Sequence, residues 1–134
     1  MSGSLSDYLE KKLLEEIVGK TAYTMPTAYI ALCTAAPTDA STGTTIVEPV
    51  GGSYARKSTA GADWAAASAG SISNANAITF VTATGDWGEC THFAICDAAT
   101  TGNLLAWGSL TVSKTILNGD TASFAVGSLV LSLD

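Results

Sequence analysis

The sequence predicts a mostly β fold, an antiparallel β-sandwich of jelly-roll type preceded by one amphipathic helix. Three observations predict it. Charge is concentrated at one end: seven charged residues fall in the first twenty positions, and the other 114 carry only eleven, about 10% against roughly 25% for an average soluble domain. Apolar residues recur at helical spacing only within that charged segment. Beyond it, short runs rich in Val, Ile, Thr and aromatic residues are separated by Gly, Asn and Asp turns every ~8–12 residues.

Residues 5–18 read as the helix. Leu5, Leu9, Leu13 and Ile17 recur at i, i+4, with Tyr8 and Leu14 widening the stripe. Ser4 followed by Asp7 resembles a capping box, and Gly19 is a natural C′ residue. Residues 29–34 form a short apolar strand, and 36–53 the largest loop. The turn Gly51-Gly52 feeds a strand over 54–58. The Ala-rich run 62–67 is short and followed by Gly, Ser and Asn, which favours strand over helix. Further strands are expected over 78–84 and 90–97. In the latter, Phe93 and Ile95 share one face and Cys90, His92, Ala94 and Cys96 the other, by the period of two. Residues 103–110 are a strand that 111–116 either continues or pairs with. Asn118-Gly119-Asp120 is a turn. Residues 121–126 alternate with Ala122, Phe124 and Val126 on one face. A last strand carries Leu129, Leu131 and Leu133.

The length of 134 residues suits one domain, 1–134, made of the helix (1–19) and a β body (20–134). A net charge of −6 argues against nucleic acid, because phosphate binding needs clustered Lys and Arg and the body has only the doublet Arg56-Lys57. The uncharged stretch 64–85 is too rich in Ser, Thr, Asn and Gly for a membrane helix. The first residues show no signal-peptide core, so synthesis in a cytosol is expected. Cys33, Cys90 and Cys96 are then reduced thiols. Cys90 and Cys96 on one strand would stand about 20 Å apart, far beyond the ~7 Å a disulfide allows.

Candidate chemistry is sparse. His92, the only histidine, has Cys90, Cys96 and Asp97 near it in sequence, but strand geometry keeps the two cysteines from sharing one tetrahedral site. One wall of a sheet is the simpler reading, and no metal is expected. Asp86 and Glu89 bracket Trp87-Gly88, the pattern of a sugar platform beside paired acids. This makes a carbohydrate-binding module, with Asp86, Trp87 and Glu89 as glycan contacts, the alternative from another functional class. The Gly-rich segments lack phosphate-loop spacing, and the 39–44 loop has one carboxylate, too few for tight calcium binding. No catalytic set and no cofactor site is expected. The helix stripe either covers the domain's own sheet or docks on a neighbouring subunit.

The order of motifs resembles a family of small tailed-phage virion proteins often labelled tail fibre proteins. The matching pieces run nearly end to end: Leu5-Ser6-Asp7-Tyr8-Leu9-Glu10, Tyr29-Ile30-Ala31-Leu32, Pro37-Thr38-Asp39, Gly51-Gly52-Ser53-Tyr54-Ala55-Arg56, Ile72-Ser73-Asn74, Thr84-Gly85-Asp86-Trp87-Gly88, Thr91-His92-Phe93, Gly102-Asn103-Leu104-Leu105 and Asn118-Gly119-Asp120. The resemblance implies a non-enzymatic structural protein of the virion. With neither heptads nor repeats in the chain, the expected role is a capsid cement or decoration protein that binds other copies of itself and the major capsid protein. A tail fibre or tail-tip adaptor is the alternative. Leu5, Leu9, Leu13 and Ile17 on the helix, with Tyr54 and Arg56 after the Gly-Gly turn, are the expected subunit contacts.

Overall fold

The computed structural model describes residues 3–133. It is mostly β, with antiparallel sheets and one helix. Strand β1 (Gly3–Leu5) leads into helix α1 (Asp7–Ile17), followed by β2 (Tyr29–Cys33), β3 (Lys57–Ser58), a 3₁₀ turn at Gly61–Asp63, β4 (Ser71–Ser73), β5 (Ile78–Thr79), β6 (Gly88–Cys96), β7 (Leu104–Ile116), β8 (Ser123–Phe124) and β9 (Val130–Ser132). Five strands form one sheet in the order β1-β7-β6-β2-β3, while β4-β9 and β5-β8 form two separate ladders. This arrangement is compatible with a sandwich, although two short ladders rather than one continuous sheet supply its second layer.

The sheet is covered on both faces. Ile30, Leu32, Phe93 and Ile95 project from one face and cluster with Leu9 of α1 and with Ile78, Phe80 and Leu129 of the short-ladder layer. Ala31, Cys33, Ala94, Cys96 and Leu104 project from the other and meet Ile46 of the long loop. That loop is tied down where Trp107 Nε1 donates to Asp39 Oδ1 at 2.9 Å. Burial of both faces explains why β2 and β6 read as nearly continuous apolar runs rather than as strict alternation.

Several sequence expectations change. Residues 3–5 are a strand, because Gly3, Ser4 and Leu5 pair with Gly108, Trp107 and Ala106. The helix therefore starts later, and its N-cap is Ser6, not Ser4: Ser6 Oγ accepts from Leu9 N at 3.1 Å and also donates to Leu104 O. The run 62–67 holds no strand. Asp63 instead caps the 3₁₀ turn by accepting from Ala60 N at 2.8 Å, and only Trp64 makes a β-bridge, to Asn74. The strands expected over 54–58, 78–84 and 121–126 shrink to two-residue ladders. Cys90 lies with Phe93 and Ile95, not opposite them. The cause is a register shift between Cys90 and His92, where β7 sets the four residues 110–113 against Thr91 alone. A bulge of this kind breaks the period of two on which the face assignment rested.

Candidate functional site

The Gly-Gly-Ser-Tyr-Ala-Arg segment builds the most connected polar site in the fold. Gly51 and Gly52 both have positive φ, which L side chains rarely adopt. A Cβ on Gly52 would also stand 2.7 Å from Gly85 O. The turn is held where Trp87 Nε1 donates to Gly52 O at 2.8 Å. Two-residue spacing then sends Tyr54 and Arg56 the same way.

Arg56 is almost wholly enclosed, with its side chain 2% exposed. All five of its N–H donors are used. Nε reaches Glu48 Oε1 at 2.9 Å and Nη2 reaches Glu48 Oε2 at 2.8 Å, a bidentate pair. Nη2 also donates to Gly43 O at 2.7 Å, and Nη1 donates to Ala98 O and Thr101 O, each at 2.9 Å. Tyr54 Oη completes the group by donating to Glu48 Oε1 at 2.7 Å and accepting from Leu32 N at 3.0 Å. Burial is the largest single effect on the Arg56 pKa and acts to lower it, but the Glu48 bond together with the nearby charges of Cys96, Glu48 and Tyr54 turns the net shift upward. Burial, then Glu48, push the Tyr54 hydroxyl well above its ordinary range. The guanidinium thus ties together the 43–48 loop, the strand after the Gly-Gly turn and the 98–101 turn. Gly43 is required here because a Cβ would overlap Thr101 O. An arginine in this state has no donor left for a neighbouring subunit, so the expected rim contact at Arg56 is replaced by an internal clasp.

The helix stripe divides along its length. Leu9 is buried, and Leu5 and Leu13 pack partly against the same core. Tyr8 meets Tyr23 edge-on at 6.4 Å, with Lys12 Nζ 5.6 Å from the Tyr8 ring centroid. The C-terminal end is bare: Leu14 is 65%, Ile17 77% and Val18 75% exposed.

The other candidates fall apart geometrically. Trp87 is 4% exposed and packs edge-on to Tyr54 at 5.1 Å, so it is a wall of the core rather than a sugar platform. Asp86 accepts from Asn118 N at 2.9 Å as part of a turn, and Glu89 is exposed. His92 Nδ1 lies 2.8 Å from Thr91 Oγ1, and the ring lies 6.1 Å from Trp107. Among the described residues no group of three His, Cys, Asp or Glu side chains could hold a metal ion. No helix among them is long and apolar enough to cross a membrane.

The three cysteines are free and buried. Burial pushes Cys33 up to about 12 and Cys96 up to about 11, so the reactive thiolate is scarce at neutral pH. A thiol-specific chromogenic reagent is expected to titrate all three only after denaturation; rapid labelling of the native protein would contradict this burial. The pH dependence follows from linkage. The folded thiols bind protons more tightly than the unfolded ones, so their contribution is intact below pH ~9 and declines as pH rises from there towards 11–12. Urea midpoints measured from pH 8 to 11 should fall, and Cys33→Ala should flatten the fall.

Sequence reasoning missed Glu48, the partner that makes Arg56 structural, and the buried amide of Asn74. A signal for the first was present: a lone arginine in a body this poor in charge needs a partner if it is buried. A search among curated proteins finds no match. The family described as podophage GP4 fiber I protein gp80 matches residues 4–132. The motif pieces noted in the sequence lie within that span, and several occupy the turns and clasps just described. The chain belongs to the podophage GP4 fiber I protein gp80 family, and is a phage structural protein of tail fibre type.

Proposed function

We propose that this protein is a non-catalytic building block of a podophage tail fibre, held in the virion through contacts with further copies of itself and with neighbouring virion proteins. The family match across residues 4–132 carries the reading, and it favours a fibre over the capsid cement expected from the sequence. Two physical features support an assembling role. The body carries little charge to resist self-association, and α1 ends in an apolar surface that the chain leaves uncovered.

The deciding measurement is the number of copies per purified virion, by quantitative mass spectrometry against the major capsid protein. A few copies per particle support the fibre reading. Stoichiometry comparable to the capsid protein would overturn it in favour of cement. At residue level, Ile17→Asp is expected to leave the urea midpoint nearly unchanged, within about 0.5 kcal/mol as for other exposed positions, while reducing incorporation into particles. Normal incorporation would remove α1 from the contact surface. A point change is the right probe because removing the whole segment would also delete Leu9 and the Ser6 bonds to β7.

A further inference from the structure

We propose that the cleft between β7 and β8 receives the exposed end of α1 from a second copy of the chain. This rests on the reading of the protein as an assembling structural component, and it specifies the contact.

The cleft has a volume of about 430 Å³, within the ~300–1,000 Å³ range of clefts that hold a ligand-sized body. Buried Leu32, Phe80, Cys90 and Ile116 line it, with Phe124 of β8 and Val112 of the β7 bulge. On the edge of β7 away from β6, β1 pairs only with residues 106–108, and among the described residues no strand joins the rest of that edge to β8. Close-packed interiors leave few voids larger than a water molecule. An apolar recess of this size is therefore a surface to be filled.

The same chain carries a convex counterpart. Glu10, Leu14 and Ile17 follow i, i+4, i+7 on one face of α1, and Val18, its C-cap residue, comes next. The last three are exposed and apolar, and one carboxylate stands at the N-terminal edge of the face. Lys114 lies on the lining of the cleft. Among the described residues neither the Glu10 nor the Lys114 side chain makes a hydrogen bond or an ion pair. An apolar ridge with an unpaired acid thus matches an apolar recess with an unpaired base. The mode is an amphipathic helix laid into a groove. Because the ridge and the recess are different surfaces, the contact is heterologous: each copy gives a helix end and receives one, which generates a ring or an open filament.

The test is sedimentation velocity and native mass spectrometry on the full chain and on Ile17→Asp, Glu10→Lys, Lys114→Glu and the double reversal. All three sites are exposed or lie at the cleft mouth, and circular dichroism confirms that the variants are folded. The wild type is expected to self-associate and Ile17→Asp to be monomeric. Each single charge reversal should weaken association about tenfold, and the double reversal should restore it. Restoration is the decisive result, since only a direct Glu10–Lys114 pairing produces it. If Ile17→Asp dissociates the assembly while Lys114→Glu does not, the helix contacts another surface and the cleft assignment is overturned. A wild type that stays monomeric throughout also overturns it. The virion copy number tests the fibre reading separately.

Discussion

Arg56→Ala is expected to lower the unfolding free energy by about 3–5 kcal/mol, the cost of breaking a buried ion pair from one side. For a domain whose whole stability is ~5–15 kcal/mol, that is a large share. The wild-type guanidinium satisfies both Glu48 oxygens and the carbonyls of Gly43, Ala98 and Thr101. Truncation takes a donor from all five acceptors at once, leaving only Glu48 Oε1 with a partner, Tyr54 Oη, and the segments that meet there come from three separate parts of the chain. In urea the midpoint should fall by at least about 1 M with little change in slope. A midpoint within experimental scatter of the wild type would show that water replaces the guanidinium freely and that the clasp is not structural.

Two companion variants separate this site from an ordinary ion pair. Arg56→Lys keeps the charge but not the planar fork, and one ammonium cannot reach three carbonyls and a carboxylate together. It should recover less than half of the loss. Removing both charges as Arg56→Met with Glu48→Leu is often harmless for buried pairs, because it also removes the desolvation cost. Here it should remain destabilising, since the three backbone carbonyls are left without donors.

The parts of the fold that local pattern controls were legible in the sequence. The Leu stripe and Gly19 locate α1, and the apolar runs around Ile30, Phe93 and Leu105 locate β2, β6 and β7. What was lost depends on contacts distant in sequence. β1 exists only because residues 106–108 of β7 lie beside it. Cys90 changed face because of a bulge whose extra residues lie on the opposing strand. The helix stripe misled for a geometric reason: steps of four residues advance about 40° around a 3.6-residue helix, so Ile17 points about 80° away from Leu9 and leaves the sheet. The site was least legible of all. Tyr54 and Arg56 stood out in the sequence as subunit contacts after the Gly-Gly turn, but within the chain their partners come from positions 32, 43, 48, 98 and 101, which no local pattern links.

Asn74→Ala is expected to cost about 2–4 kcal/mol, the penalty for stranding several buried polar groups. Asn74 is 1% exposed. Its Nδ2 donates to Asn76 O and Ala125 O, both at 2.9 Å, and its Oδ1 accepts from Leu129 N at 2.9 Å. Its main chain is used as well, with N donating to Leu129 O and O accepting from Gly127 N. One side chain thereby fixes the exit of β4 to the turn between β8 and β9, two elements whose ladders are only two or three residues long. Strands that short are weak by themselves, so the amide supplies order that pairing does not. Asn74→Asp gives the sharper readout. It keeps the shape and the acceptor for Leu129 N, but it turns the donor towards Asn76 and Ala125 into a second acceptor facing two carbonyls. The introduced carboxyl is driven towards its neutral form, so its folded pKa rises above the unfolded ~3.9. Its protonated form can donate to one carbonyl, so the variant should be nearest to wild type at low pH and lose stability relative to wild type as pH rises towards 7. Paired urea melts at pH 4 and pH 7 measure that difference. An equal deficit at both values would show that the buried amide acts through its volume alone.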